Sequence, residues 1–398
     1  MEHFYERNAK LLARAKSSIY RQLQDKIHWS DRLIGILGAR GTGKTTLLIQ
    51  HMQQLRPSRN EALYMSLDDM YFLAHSLFET AETFIQRGGK YLFLDEVHKY
   101  PEWSRHLKNL YDVYPELHVV FTGSSVLDMQ RQDADLSRRA VMYNMHGLSF
   151  REYLLLKHKL SLPLLDLKSL LSNPQKSFDL FPDDFRPYAY LPDYLKTGYY
   201  PFFTEGESSY PMKLQQVVRL VLESDLAELP GFDVRNARKM MQLLYIIASN
   251  VPFKPNITKL SAQTGIARNI VNNYLQYLEQ ARLLTLMYPA GISTAILSKP
   301  EKVFLDNSNL MYAIAEEGVN RGSLRETFIL SQLKPVVSSI DLSSSGDFLL
   351  NEKYTLEVGG KNKTNAQIRN QKNAFRVLDD VSAPYDNVIP IWMFGFLY

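Results

Sequence analysis

Cysteine is absent from the 398 residues of the sequence. The absence excludes disulfide bonds, thiolate metal sites and cysteine nucleophiles. A chain without cysteine fits the reducing cytosol, and we expect the protein to be cytoplasmic.

Long apolar runs are also missing. No uninterrupted apolar stretch approaches the ~18 residues that indicate a membrane span, so we expect no membrane partner. The N-terminal stretch MEHFYERNAKLLARAK is charged throughout and lacks the apolar core of a signal peptide. The longest apolar run, VIPIWMFGFLY at 388–398, predicts a terminal strand buried in a sheet.

The sequence lacks a large excess of charge of either sign and has no internal repeat. The formal net charge of +4 permits nucleic acid as a partner without demanding it. The apolar fraction of 45% and the charged fraction of 22% are those of a globular protein. The length predicts about two to three domains.

Short apolar strands alternate with helical patterns in the first part of the chain. Residues 1–30 predict an N-terminal helical segment, with Leu11, Leu12, Ile19 and Leu23 near helical spacing. Strands are predicted at 32–38, 64–67, 90–97, 117–124 and 140–150, with helices at 45–55, 70–86 and 102–114 between them. This alternation predicts an α/β domain over 31–150 that is built on a parallel sheet.

The rest of the chain divides into three predicted regions. Residues 151–235 predict a helical lid or connector that is rich in Pro, Ser and Tyr, and 236–290 predict a winged-helix-like module. Residues 291–398 predict a C-terminal α+β domain.

The segment GARGTGKT at 38–45 fits the phosphate-loop pattern G-x-x-x-x-G-K-[ST] at every fixed position. A strand enters it and a helix leaves it, so that backbone N–H groups and the helix N-terminus surround phosphate oxygens. Lys44 is expected to reach the β- and γ-phosphates, and the Thr45 hydroxyl to bind Mg²⁺. The predicted ATP-binding residues of this segment are Gly38, Ala39, Arg40, Gly41, Thr42, Gly43, Lys44, Thr45 and Thr46, of which Thr46 is expected to pack in the first helical turn.

A second motif, KYLFLDEV at 90–97, is a buried strand that ends in two carboxylates. The carboxyl edge of a parallel sheet is where the phosphate loop also lies. Asp95 is predicted to hold Mg²⁺ through water, and Glu96 to orient and deprotonate the attacking water. Together the two motifs predict ATP hydrolysis.

Five further residues are candidates for the site. Thr122 and Ser124, in FTGSS, are candidates to contact the γ-phosphate or the water, although Ser124 also fits a helix N-cap. Arg138 or Arg139 is either a transition-state arginine, in cis or for a neighbouring subunit, or part of a surface pair, and we assign Arg139 to the catalytic set. His98 fits a satisfied loop histidine better than a metal ligand or general base.

These residues together resemble a large, mostly uncharacterised prokaryotic group of AAA-type P-loop ATPases with a conserved C-terminal domain of unknown function. The resemblance rests on GARGTGKTTL, LDEVHKYPEW, FTGSS and RRAVMYNMHGLSFREYL, the last of which is similar to the group's Leu-Ser-Phe-x-Glu-Tyr helix start. The resemblance also implies that Pro101 and Trp103 pack the turn after the strand.

The pattern at 257–283 is helix, Gly265 turn and longer helix, followed by the strand-like LLTLMYP. This is typical of a helix-turn-helix, in which the second helix can enter the DNA major groove. Residues on its early turns that would reach base edges are Arg268, Asn269, Asn272 and Asn273. Basic residues are few in this module, so the alternative to DNA binding is that the module packs within the protein or contacts a protein partner.

In the C-terminal region the family resemblance implies a fold similar to restriction-type nucleases. Glu326, Asp347 and Glu357 match the acidic positions of the active site in such a nuclease-like scheme. Gly359 stands where that site needs a lysine, and the nearest lysine in sequence is Lys361. We therefore expect a degenerate nuclease-like domain that does not act as a nuclease. The basic run from Lys361 to Arg376 indicates an anionic partner or a solvated helix face.

The leading hypothesis is a Mg²⁺-dependent ATPase whose hydrolysis changes the conformation of its C-terminal modules. The alternatives are a nucleotide-dependent switch that acts through a protein partner or self-association, and an ATP-driven DNA-processing protein. Stimulation of hydrolysis by DNA separates these alternatives.

Overall fold

The computed structural model describes residues 1–14, 19–56, 58, 60–123, 136–226, 236–250, 254–291, 299–315, 318–364, 366–369 and 371–398. The chain forms two compact units, unit 1 over Met1–His146 and unit 2 over Gly147–Tyr398. The finer boundaries of the predicted domains stay a prediction.

Unit 1 contains a five-stranded sheet in which all strands run parallel, in the order β2-β3-β4-β1-β5. Every residue of the interior strand β1 is buried, as expected for a parallel strand covered on both faces. The strands are β1 (Leu33–Gly38), β2 (Ala62–Ser66), β3 (Tyr91–Asp95), β4 (His118–Gly123) and β5 (Val141–Met145). The predicted parallel α/β sheet is confirmed, although β5 is shorter than predicted.

Helices cover both faces of this sheet. The helices are α1 (Glu2–Arg14), α2 (Leu23–Lys26), α3 (Lys44–Leu55), α4 (Leu77–Gln86) and α5 (Trp103–Val113), with 3-10 turns at Met70–Leu73 and Val97–Lys99. One core combines α4, α5 and the start of α1 with Leu33 and Leu37 of β1. The other core packs α3 against Ile34 and Ile36. The alternation along β1 thus divides the apolar residues between two layers.

Two helix predictions in unit 1 are wrong in part. The helix expected at 70–86 is interrupted because Asp69 and Ser76 each cap a new turn, accepting hydrogen bonds from the backbone N–H groups of Tyr71 and Glu79. In the N-terminal segment, Ile19 lies outside the helices. Trp103 fulfils the expected packing role: it is fully buried, with its ring centroid 5.5 Å from that of Phe121.

Unit 2 begins with a helix whose start the motif LSFREYL predicts correctly. Ser149 and Glu152 form a reciprocal capping box at the N-terminus of α6. The helices of unit 2 are α6 (Phe150–His158), α7 (Leu167–Ser172), α8 (Pro174–Phe178), α9 (Leu191–Thr197), α10 (Tyr210–Leu220), α11 (Ala237–Ala248), α12 (Ile257–Thr264), α13 (Arg268–Gln280), α14 (Ser308–Ile314) and α15 (Arg321–Leu333). A π-helical turn follows α10 at Val221–Asp225, and 3-10 turns lie at Pro187–Ala189, Pro201–Glu205 and Ile391–Phe396.

Two sheets complete unit 2. Strands β6 (Leu284–Met287) and β7 (Lys302–Leu305) pair antiparallel. A mixed sheet has the order β12-β11-β10-β9-β8 and comprises β8 (Ile340–Leu342), β9 (Phe348–Leu350), β10 (Tyr354–Gly360), β11 (Ala374–Asp379) and β12 (Val388–Pro390). The predicted terminal strand is therefore correct only for 388–390, because the buried residues after Pro390 form a 3-10 turn.

Among the helices that the structure describes, none is both long enough and apolar enough to cross a membrane.

Candidate nucleotide site

The loop between β1 and α3 has the backbone conformation of a phosphate cradle. Gly41 and Gly43 have φ values of 85° and 97°, in the left-handed region that residues with a Cβ avoid. Gly38 is needed for a different reason, since a Cβ there would lie 2.3 Å from the Met145 carbonyl oxygen of the neighbouring strand. The three glycines thus hold the loop against β5 and turn it into the first residue of α3.

Lys44 and Thr42 bind the loop's own carbonyl groups. The Lys44 side chain is buried, and its Nζ donates to the carbonyl oxygens of Gly38 at 2.9 Å and Ala39 at 3.0 Å. The Thr42 hydroxyl donates to the same Ala39 oxygen at 2.9 Å. The lysine ammonium is therefore held inside the loop by weak neutral acceptors, which phosphate oxygens can replace.

Arg21, from the segment that precedes β1, also holds the loop. Its Nη1 donates to the Thr42 carbonyl oxygen and its Nη2 to the His146 carbonyl oxygen, both at 2.9 Å. No motif links position 21 to the phosphate loop, so this contact could not be predicted from the sequence.

Asp95 is the centre of the carboxyl edge of the sheet. Its side-chain oxygens accept hydrogen bonds from the Thr45 hydroxyl at 2.6 Å, from the Tyr64 hydroxyl at 2.8 Å and from the Thr122 hydroxyl. Burial, followed by the charge of Asp95, raises the pKa of Tyr64, so this phenol stays protonated and donates. The two predicted Mg²⁺ ligands, Thr45 and Asp95, are in direct contact.

Thr122 lies on β4, between the loop strand β1 and the carboxylate strand β3. It is fully buried, and its hydroxyl oxygen accepts a hydrogen bond from the Glu96 backbone N–H at 3.2 Å. The structure thus gives Thr122 a positioning contact with both acidic residues, whereas its place in FTGSS predicted a contact with the γ-phosphate or the water. Ser124 lies outside the described residues.

Glu96 and His98 follow β3 in a tight turn. Glu96 has a φ of 54°, and its side chain is 22% exposed. His98 Nε2 lies 3.3 Å from the Glu96 Oε2 atom, and the His98 side chain has no exposed surface. The expected loop histidine is therefore a buried neighbour of the predicted catalytic glutamate.

The remaining loop residues have more open environments. Arg40 is half-buried, whereas Thr46 is exposed. The expectation that Thr46 packs in the first helical turn is wrong, because its position on α3 faces away from the core that Leu47 and Leu48 enter.

The structure places Arg139 at the opposite edge of the sheet. Arg139 precedes β5, whose first residue Val141 pairs in parallel with Ile34 near the start of β1, whereas the phosphate loop follows the end of β1. Arg139 binds Asp112 through two hydrogen bonds, Nε to Oδ1 at 2.8 Å and Nη2 to Oδ2 at 2.9 Å, and Arg138 is exposed. A contact with this chain's own γ-phosphate site does not fit this placement, so the cis interpretation is wrong and the trans interpretation stays a prediction.

The residues present fit ATP with Mg²⁺. The left-handed glycines open the loop backbone, Lys44 supplies a buried cation, and α3 begins at the loop. The hydroxyl–carboxylate pair Thr45–Asp95 is the hard oxygen donor set that Mg²⁺ prefers.

The parallel sheet and the phosphate loop give unit 1 the fold of an AAA-type P-loop domain. In agreement with this, residues 30–154 match the family described as an AAA domain. Residues 188–319 match a family described as a domain of unknown function.

Similar proteins are found among archaea. The uncharacterized protein MJ1637 of Methanocaldococcus jannaschii is 28% identical over 388 residues, covering 88% of this chain and 80% of that protein. The uncharacterized protein MJ1544 of the same organism is 23% identical over 312 residues, covering 75% of this chain and 66% of that protein. The structure of the Walker-type ATPase PABY2304 of Pyrococcus abyssi aligns at 12% identity and a TM-score of 0.43, covering 74% of this chain and 95% of that one.

In unit 2 the structure contains the predicted helix-turn-helix. Helix α12 ends at Gly265, which has a φ of 65°, and α13 follows, with the antiparallel pair β6–β7 after it. Arg268, Asn269 and Asn273 are exposed on the early turns of α13. Asn272 is partly buried, and its Oδ1 atom is inaccessible and has no hydrogen-bond partner in the described part of the chain, so it does not join the exposed set.

The three carboxylates of the nuclease-like scheme do converge. Lys302 Nζ lies 3.7 Å from the Glu326 carboxylate and 3.9 Å from the Asp347 carboxylate, and Lys363 Nζ lies 2.6 Å from Glu357. The lysine that reaches Glu357 is Lys363 and not Lys361, which is exposed. We call these five side chains the Lys302–Lys363 cluster.

Gly359 explains how Lys363 reaches this position. A Cβ at 359 would lie 2.6 Å from the Cβ of Lys363, so the missing side chain leaves room for the lysine four residues later. Burial, followed by the neighbouring Asp347, raises the pKa of Glu326 from 4.5 to about 7.

The comparisons give no support to a nuclease-like C-terminal region, since the match to the domain of unknown function ends at residue 319. The structure describes no group of three or more His, Cys, Asp or Glu residues that could hold a metal ion. The basic run is not a helix face either: its described residues between β10 and β11 form turns, with Lys361, Arg369 and Lys372 exposed.

Proposed function

We propose that this protein binds and hydrolyses ATP with Mg²⁺ at the carboxyl edge of the unit 1 sheet. The contact between the Thr45 hydroxyl and the Asp95 carboxylate, directly after the glycine loop, is the observation that carries the proposal. It brings a helix N-terminus, a lysine and two metal-binding groups to one edge of the sheet.

Each residue has a defined task in this proposal. The loop N–H groups and Lys44 bind the β- and γ-phosphates, while Thr45 and Asp95 would hold Mg²⁺. When bound, the ion neutralises phosphate charge. Glu96 accepts a proton from the attacking water, as the water oxygen bonds to the γ-phosphorus and the bond to the β–γ bridging oxygen breaks, giving ADP and phosphate.

Two substitutions test the proposal. Lys44→Ala is expected to abolish binding of ATP, because the buried cation inside the loop is lost. Glu96→Gln is expected to retain binding and to lower kcat by about 100-fold or more, because the amide cannot take up the proton. Binding of a non-hydrolysable ATP analogue and steady-state phosphate release measure the two effects.

The matched control is Glu102→Gln, because Glu102 lies after the same strand but is exposed and paired with Arg105. It is expected to hydrolyse ATP at the wild-type rate. A Glu96→Gln variant that also hydrolyses at that rate contradicts the assigned role of Glu96.

The output of hydrolysis is proposed to be a conformational change within unit 2, in a cytosolic protein. A DNA-linked output is the second candidate, favoured by the exposed Arg268, Asn269 and Asn273 on the second helix of the helix-turn-helix. Stimulation of the ATPase rate by duplex DNA, lost in Asn269→Ala, supports it. An unstimulated rate together with nucleotide-dependent self-association supports a switch that acts through protein contacts.

A further inference from the structure

His98 is a side chain of unit 1 to which the proposed hydrolysis assigns no task. It lies in the 3-10 turn Val97–Lys99 directly after β3, and its side chain is fully buried. Its Nε2 atom is 3.3 Å from Glu96 Oε2, and the Glu96 side chain is 22% exposed. The carboxylate therefore lies beside a buried ring, while part of the Glu96 side chain reaches solvent.

The ring carries no charge at neutral pH. Burial, together with the nearby Lys99, Lys44 and Arg40, lowers the pKa of His98 to about 3. A neutral imidazole that faces a carboxylate presents its N–H and acts as a donor. A cationic partner would stabilise a carboxylate more strongly and make it a poorer proton acceptor, so a neutral donor can orient a base without disabling it.

The backbone of Glu96 is also fixed. Its φ of 54° is uncommon for a residue with a side chain, and such conformations persist where the surroundings determine them. Its N–H donates to Thr122 Oγ1 at 3.2 Å. Glu96 is thus held at the backbone by β4 and at the carboxylate by His98.

We propose that His98 is a positioning residue for Glu96. Its Nε2–H holds Oε2, so that Oε1 stays directed to the water that gives up its proton. This inference rests on the proposed ATPase function and adds a second residue to proton transfer. A histidine that only fills the core would need no particular partner at Nε2.

The test compares two replacements of similar size. His98→Leu fills the space without a donor, whereas His98→Gln keeps a neutral N–H group. The leucine variant is expected to lower kcat by between about 10- and 100-fold with the KM for ATP within about two-fold, because a displaced base loses rate and not nucleotide affinity. The glutamine variant is expected to recover most of the lost rate.

A double substitution distinguishes positioning from a general structural effect. In a Glu96→Gln background, His98→Leu is expected to cause no further loss of rate, since the group that it positions is already inactive. Thermal melting and binding of a non-hydrolysable ATP analogue report on folding, and His98→Met replaces the leucine variant should that one not fold.

Two results overturn the inference. One is a wild-type kcat in His98→Leu, and the other is an equal loss of rate with and without the Glu96→Gln substitution. A wild-type protein that does not hydrolyse ATP contradicts the proposed function instead, so the two failures are distinguishable.

Discussion

Asp95 receives hydrogen bonds from Thr45, Tyr64 and Thr122, which lie on α3, β2 and β4. Hydrogen bonds to a charged acceptor are stronger than those between neutral groups, and here they orient both carboxylate oxygens. A metal ligand that is oriented in this way loses little freedom when the ion binds. The order β2-β3-β4 of the sheet places Tyr64 and Thr122 on either side of Asp95, and Thr45 comes from the start of α3.

Tyr64→Phe removes one of these bonds and keeps the ring. We expect weaker binding of Mg²⁺, with the Mg²⁺ concentration needed for half-maximal ATPase activity rising about 10-fold, because groups behind a metal ligand typically contribute at this scale. Titration of the ATPase rate with Mg²⁺ at saturating ATP measures the change.

The matched control for Tyr64→Phe is Tyr91→Phe. Tyr91 is the first residue of β3, and its hydroxyl has no hydrogen bond to the part of the chain that the structure describes. Its Mg²⁺ titration is expected to equal that of the wild type. A Tyr64→Phe titration that coincides with that of the wild type would show that the Tyr64 hydroxyl does not contribute to Mg²⁺ binding.

At the scale of the elements, β7, α15, β9, β10 and their loops bring the Lys302–Lys363 cluster together. Glu326 lies on α15, Asp347 directly precedes β9, and Glu357 lies fully buried on β10. Lys302 Nζ and Lys363 Nζ supply the opposite charges at 2.6 to 3.9 Å. Buried charges persist only when paired, so the two lysines are the internal counter-ions of these carboxylates.

The raised pKa of Glu326 makes the stability of unit 2 depend on pH. Its pKa is 4.5 in an unpaired chain and about 7 in the fold, where burial and Asp347 disfavour the charge. The folded protein therefore keeps a proton that the unfolded chain has released. The stabilisation is complete below pH 4.5 and is lost as the pH rises through about 7.

Glu326→Gln is accordingly expected to be more stable than the wild type at pH 8, by up to about 3 kcal/mol, and to differ little from it at pH 5. Urea unfolding followed by circular dichroism at both pH values measures the difference. The exposed Glu301 provides the control, and Glu301→Gln is expected to show no such dependence. A pH-independent effect of Glu326→Gln would show that its carboxyl is not the titrating group.

For the whole molecule, we expect Mg²⁺-dependent chemistry from unit 1 and none from the Lys302–Lys363 cluster. Two ammonium groups already lie against the three carboxylates, and the Glu326 carboxyl is partly protonated near pH 7, so little negative charge is left for a cation. The chain is expected to leave supercoiled plasmid DNA intact in the presence of Mg²⁺ and ATP, as followed on agarose gels. Cleavage that disappears in Glu357→Gln would contradict this expectation.

Much of unit 1 could be predicted because its signals are local. A glycine pattern requires particular φ values at Gly41 and Gly43, and a short apolar strand followed by Asp95 and Glu96 places both carboxylates at the end of β3. Helix starts such as Ser149 depend on residues within one turn. Two predictions failed. The helix predicted at 70–86 is interrupted by the caps Asp69 and Ser76, and the strand predicted to continue past Pro390 is a buried 3-10 turn.

The sequence by itself determined the phosphate loop, the paired carboxylates and the parallel α/β fold, because each is encoded in a short local pattern of residue types. The tertiary structure alone decided which distant residues serve them. It brought Arg21 to the Thr42 carbonyl and Tyr64 to Asp95, and it paired Arg139 with Asp112 at the far edge of the sheet. Such contacts depend on strand order and on the packing of helices, which no short motif encodes.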